Sequence, residues 1–271
     1  SISNIAWNPS DKIQVYNLLH KNNFTGLEVA PGLLFSHLDD PIHPSNQDLQ
    51  KVIKELDFYN LQLVSMQSLL YGKKDALLFG NKKEREFFFN ELLNVIQLAE
   101  KLEIPNLVFG SPINRIIPND MCNIDAEDIA LITFSKLGDV AAKMGTCISI
   151  EPNPVEYGTN FINNTNEAIA FVKKLNCPGV RVNLDIGSVK MNDDFNNLPN
   201  ILEKAIKYIN HVHISEPYLM PAPESSIEFE YLYNLLYESG YKKAISIEML
   251  SKNYPIHHIE KFLIKMSKIS N

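Results

Sequence analysis

Cys147-Ile148-Ser149-Ile150-Glu151, Val182-Asn183-Leu184-Asp185, His211-Val212-His213-Ile214 and Ile245-Ser246-Ile247-Glu248 share one pattern. Successive side chains of a strand point to opposite faces. In the first run the two isoleucines therefore share one face, while Cys147, Ser149 and Glu151 share the other. A barrel strand packs its outer face on helices, so the aliphatic face turns outward and the polar face inward. The last polar residue of each run then sits at the C-terminal mouth. Glu151, Asp185, His213 and Glu248 are 34, 28 and 35 residues apart, each about one strand-helix unit. Four consecutive strands are thus expected to bring three carboxylates and one imidazole to one side of the mouth.

The same alternation runs through the chain. β-rich runs occur at Ile2–Trp7, Gly26–Ala30, Gln62–Gln67, Asn106–Phe109, Cys147–Glu151, Val180–Asp185, His211–Ile214 and Ala244–Glu248. Helical periodicity follows each, over Asp11–Lys21, Asn46–Phe58, Lys83–Leu102, Ala126–Met144, Asn166–Leu175, Leu198–Tyr208, Ile227–Ser239 and Ile256–Lys268. Ser10-Asp11 reads as one helix start, and Asn164-Thr165 followed by Glu167 as another. Eight such units in 271 residues match a (β/α)8 TIM barrel, whereas a doubly wound sheet has about five or six strands. No Gly/Ser- or Pro-rich linker interrupts them, so the expected architecture is α/β, with residues 1–271 forming a single barrel domain.

Composition narrows the function classes. With 25 Lys+Arg against 32 Asp+Glu the net charge is −7, which provides no general field for a phosphate backbone and predicts no nucleic-acid partner. No apolar run reaches the roughly 18 residues of a membrane span. Cys122, Cys147 and Cys177 have no CxxC spacing and read as core thiols of a protein in the reducing cytoplasm. No Gly-rich phosphate motif appears, so a nucleotide cofactor is not expected.

Three inward carboxylates in one place repel one another unless a cation neutralises them, and an imidazole nitrogen completes a divalent-metal site. The metal ligands read from the pattern are Glu151, Asp185, His213 and Glu248, for Mn²⁺ ahead of Co²⁺, Mg²⁺ or Zn²⁺. Taken singly, each could simply end a strand and cap a loop; four in matching register argue for a shared site. Trp7, Glu28, Gln67 and Ser111 end the first four strands and are expected to line the substrate side of the pocket. Glu28 alternatively reads as a salt-bridged barrel carboxylate. Asn183 and His211 lie one layer below the metal, where they could orient its ligands. Arg115 and Lys190, on loops, are two cations able to reach the mouth. The stretch from Gln67 to Gly80 reads as a pocket lid, and Tyr157 and Phe161 as further apolar wall. Lys82, Lys83 and Arg85 read as the wet face of a helix, and His257 and His258 as exposed residues that do not face each other.

Ile150-Glu151-Pro152-Asn153-Pro154, Leu184-Asp185-Ile186-Gly187, His211-Val212-His213-Ile214-Ser215-Glu216 and Ser246-Ile247-Glu248 resemble the xylose isomerase-like TIM-barrel superfamily, above all its sugar phosphate isomerase/epimerase group. The resemblance implies that Glu151 and Glu248 are the acid/base pair while Asp185 and His213 hold the metal. It further implies a proton transfer beside a carbonyl, through a metal-stabilised enediolate, on a sugar or sugar phosphate. Ser188, Lys190 and Glu216 would then stand at the substrate. Two positions depart from the epimerase pattern. Ser188 stands where a histidine is usual, and Leu219 where an arginine is usual, so Lys190 or Arg115 is expected to supply the missing charge to a bulkier or anionic substrate. Dehydration of a cyclic keto-polyol on the same metal is the alternative reaction. An endonuclease IV-like enzyme would need histidines on the early strands, which end instead in Glu28, Gln67 and Ser111. A non-catalytic sugar-binding barrel is the remaining class, and a homo-oligomer is left open.

Overall fold

Eight short parallel strands close on one another in chain order. They are β1 (Ile2–Ser3), β2 (Gly26–Val29), β3 (Gln62–Met66), β4 (Leu107–Phe109), β5 (Ile148–Ile150), β6 (Val180–Asp185), β7 (Ile209–Ile214) and β8 (Ile245–Ile247). The helices among the described residues are α1 (Lys12–Lys21), α2 (Pro31–Leu34), α3 (Asn46–Phe58), α4 (Lys82–Lys101), α5 (Asn123–Lys143), α6 (Thr165–Leu175), α7 (Ile186–Met191), α8 (Leu198–Ala205), α9 (Ser226–Glu238) and α10 (Ile256–Ser267). This is the (β/α)8 barrel that the alternation predicted. The computed structural model describes residues 1–250 and 256–267, so Lys268, the expected end of the last helix, lies outside the described residues. No described helix is long and apolar enough to cross a membrane.

Contacts divide the chain into two groups. The first comprises, among the described residues, Ser1–Ser65, Asp185–Ile206, 212–250 and 256–267. Here Ile2 pairs with Leu27 on one side and Ile247 on the other, and Ile214 pairs with Ile247. Ile2, Leu27, Val212 and Ile214 are fully buried, as are Val15 and Leu19 of α1 and Leu263 of α10. In α3 the buried Leu49, Val52 and Leu56 recur at helical spacing. Ser45 starts that helix by a capping box with Asp48, worth about 1 kcal/mol.

The second group comprises Met66–Leu184 and Lys207–His211. Its core is a chain of edge-to-face rings: Phe88 on Phe109 at 5.7 Å, Phe109 on Phe134 at 5.2 Å and Phe134 on Phe171 at 5.9 Å. Such pairs each add about 0.5–1.5 kcal/mol beyond burial. Asn106 accepts hydrogen bonds from Ser149 and Asn210, so strand polar groups that leave water are satisfied locally. Phe79, late in the expected lid, is buried against Phe161 at 5.0 Å; Leu69, Leu70, Ala76 and Leu78 are buried with it, while Tyr71 is exposed.

Several boundaries differ from those read in the sequence. β1 stops at Ser3, and Asn4–Ala6 form a 3-10 turn. The Asn4 side chain accepts from the Ala30 amide at 2.7 Å and donates to its carbonyl at 3.4 Å, taking the place of ladder bonds. Trp7 therefore lies beyond the strand, buried, with its ring edge-on to Tyr16 at 6.5 Å. α5 begins three residues early, at Asn123, because Cys122 Sγ accepts from the Asp125 amide. Cys122 is thus an exposed cap and not a core thiol, whereas Cys147 and Cys177 are buried. His257 and His258 are exposed, but their rings lie 4.5 Å apart.

Candidate metal centre

His213, on β7, is fully buried. Its Nδ1 lies 3.2 Å from Glu248 Oε2 and 3.8 Å from Asp185 Oδ2, and its Nε2 lies 2.9 Å from Glu28 Oε2. Asp185 ends β6 and caps α7. Its Oδ1 accepts from the Ser188 amide at 2.6 Å, and its Oδ2 accepts from the Ser215 hydroxyl, which itself accepts from the Gly187 amide. Both carboxylate oxygens are thereby oriented. Glu248 follows β8 directly, its amide donating to the Ile214 carbonyl at 3.0 Å.

Glu151 follows β5 and is clamped from several sides. Its amide donates to the Phe109 carbonyl at 3.0 Å, and its carbonyl accepts from Arg115 at 2.7 Å. Its Oε2 accepts from Asn183 Nδ2 at 2.7 Å and its Oε1 from Asn153 Nδ2 at 3.2 Å. A Cβ at Gly110 would sit 2.8 Å from Glu151 Oε1, so a larger residue there would displace the end of that side chain. Asp185, His213 and Glu248, all in the first group, each offer one ligand atom within 4.8 Å of the others, while Glu151 follows β5 in the second. Oxygens and one imidazole nitrogen, with no thiolate, are a donor set that could hold a hard or borderline divalent cation.

The remaining residues expected at the site are placed as follows. Glu28 is fully buried on β2 against His213, and His211, in the second group, is buried as well. Ser188 is buried, with its amide on Asp185. Gln67 is buried just past β3, its Oε1 accepting from the Ser68 hydroxyl at 3.3 Å. Ser111 adopts left-handed backbone, φ 40°, and opens the 3-10 turn Pro112–Arg115. Arg115 is fully buried with its guanidinium 5.7 Å from the Phe109 ring centre. Burial pushes its pKa down to about 10 against the raising effect of Glu151, so it stays cationic at neutral pH.

Lys190 is committed elsewhere. Its ammonium lies 2.8 and 2.6 Å from the two Glu216 oxygens and 2.7 Å from Glu228 Oε1. Burial lowers its pKa, but the bonds from Glu216 and Glu228 more than offset this, and the net shift is upward. Lys190, expected to bind an anionic substrate group, is thus engaged by two carboxylates, one of them Glu216. Lys190→Met would leave those carboxylates facing each other without a cation. It should cost about 1–3 kcal/mol in urea unfolding; a midpoint unchanged at equal m-value would show that the network carries no stability.

Sequence reasoning missed Asn153 and Ser215 as orienting groups. The alternation that selected Glu151 and His213, carried two residues further, points to both.

A family model for the xylose isomerase-like TIM barrel matches residues 16–265. The chain belongs to this family. A ketose 3-epimerase of Arthrobacter globiformis is 25% identical over 118 residues, which is 44% of this chain and 40% of that protein. The match thus spans less than half of that relative. Among solved structures, D-psicose 3-epimerase from Clostridium cellulolyticum H10, crystallised with D-tagatose, superposes with a TM-score of 0.77 at 15% identity, covering 98% of this chain and 97% of its own. A family 2 AP endonuclease from Brucella melitensis superposes with a TM-score of 0.75 at 19% identity, covering 96% of each chain. At these identities the structural likeness is one of fold.

Proposed function

We propose that this family member is a divalent-metal-dependent sugar epimerase or isomerase, working as one domain on a free or phosphorylated ketose. The observation that carries the reading is the buried set Asp185, His213 and Glu248, with Glu151 at the matching strand-end position after β5. The segment similar to a ketose 3-epimerase supports the reading by class. Asp185 and His213 would hold the ion, together with Glu151 and Glu248, the two that act on the substrate. One glutamate takes the proton from the carbon beside the carbonyl, and the other returns a proton to the opposite face. Asn153 and Asn183 fix the orientation of the Glu151 carboxylate, which favours a base held ready for the substrate proton. Gln67 and Ser111 are assigned to sugar hydroxyls, and Arg115 fixes the Glu151 backbone. A divalent cation bound there would supply Lewis-acid stabilisation of the charge that develops on the sugar oxygens.

The test is to strip the protein with chelator, reload it with Mn²⁺, Co²⁺, Mg²⁺ or Zn²⁺, and incubate ketoses and inososes in D₂O. Metal-dependent deuterium at the carbon beside the carbonyl, with formation of the epimer or aldose, is expected, Mn²⁺ being the most effective. Loss of water from an inosose without epimer would assign the lyase reaction instead. No stoichiometric ion after reloading would end the metal reading altogether.

A further inference from the structure

We infer that Glu28 is a positioning residue for the metal centre, the carboxylate that sets which nitrogen of His213 carries its proton. The inference rests on the metal reading above and extends it to a residue beyond the four ligands. An imidazole has two unlike nitrogens, and a cation is held only by the one without a proton. In His213 the two are turned to different partners. Nδ1 faces Glu248 at 3.2 Å and Asp185 at 3.8 Å, the carboxylates that would share the ion. Nε2 faces Glu28 at 2.9 Å.

Both side chains are fully buried, so bulk water cannot take over the hydrogen bond. A carboxylate at Nε2 accepts an N–H and offers none, so it holds the proton there and leaves the Nδ1 lone pair toward Asp185 and Glu248. It also fixes the ring's rotation about its χ2 angle. Ligating histidines are commonly held in this way, and loss of the outer carboxylate weakens metal binding about 10–100-fold. Strand pairing sets the position of this carboxylate, since Glu28 lies on β2 opposite Ser3 of β1, within the same group of the chain as His213. An ion held between Glu28 and His213 would instead make Glu28 a ligand. Stoichiometry separates the two roles.

The experiment is calorimetric titration of chelator-stripped protein with Mn²⁺ for wild type, Glu28→Ala and Glu28→Gln, with thermal melting of each variant. One ion per chain is expected in all three. Glu28→Ala should bind about 10–100-fold more weakly, while Glu28→Gln, whose amide oxygen can still accept from Nε2, should lose less. With Co²⁺ the visible absorption of Glu28→Ala should shift as the ring reorients, a change that simple loss of packing would not give. Long-range ¹H–¹⁵N spectra of the stripped wild type should show the His213 proton on Nε2. A proton on Nδ1 would overturn the inference even if Glu28→Ala fails to fold. Unchanged Mn²⁺ affinity in Glu28→Ala would also overturn it, as would two ions in wild type falling to one. If wild type binds no Mn²⁺ the metal reading falls and this inference with it, whereas tight wild-type binding that Glu28→Ala leaves intact overturns this inference alone.

Discussion

Glu151→Gln and Glu248→Gln should each lower kcat by about 10²–10⁴-fold, the range typical of losing a general acid or base. The amide keeps the volume of the side chain but cannot take up the substrate proton. Glu151 is the more informative of the two, because both its oxygens are already oriented, by Asn183 at 2.7 Å and Asn153 at 3.2 Å. In the amide variant one of these side-chain NH₂ groups faces another NH₂, so a small rise in metal dissociation constant accompanies the loss of turnover. Measurement at saturating Mn²⁺ separates the two effects, since only the proton-transfer defect persists there. Solvent deuterium should no longer enter the substrate in either variant. Wild-type exchange in both would remove the pair from the acid/base role while leaving their ligand role intact.

Gly179→Ala should destabilise the fold by about 3 kcal/mol or more, at the upper end of overpacking effects. A Cβ at Gly179 would lie 1.9 Å from the Gly138 carbonyl oxygen and 2.7 Å from its carbon. That carbonyl belongs to the interior of α5, so relief requires moving helix backbone and not just a rotamer. Gly138→Ala makes an instructive contrast. Its Cβ would meet Cys177 Sγ and Val180 Cγ2, both at 2.6 Å, but these are side-chain atoms, and alanine in a helix interior recovers up to about 1 kcal/mol of backbone propensity. The melting temperature should fall by roughly 6–12 °C in Gly179→Ala and by less in Gly138→Ala. Equal losses would show that the helix can withdraw from the turn that precedes β6.

The barrel was legible because its strands are buried on both faces while its helices bury one stripe, and the two demands write different periods into the chain. Ile148 and Ile150 flank Ser149, and Leu49, Val52 and Leu56 recur three and four apart. Boundaries were less legible, because competition from side chains decides them: Asn4 ends β1 by bonding Ala30, and Cys122 starts α5 early.

The four strand-end residues could be read from sequence alone, since a period of two fixes the face and the barrel fixes which end is the mouth. Which partner each side chain chose could not. Lys190 follows β6 and could have faced a substrate, yet it lies between Glu216 and Glu228, residues 26 and 38 positions away. Glu28 carried no sign that its partner would be His213, 185 residues later. Local sequence sets the face and the period, because both are properties of one strand or one helix. The pairing of charges is settled only when distant strands lie side by side, because a buried carboxylate, ammonium or imidazole must take whichever partner the closed barrel puts within about 3 Å.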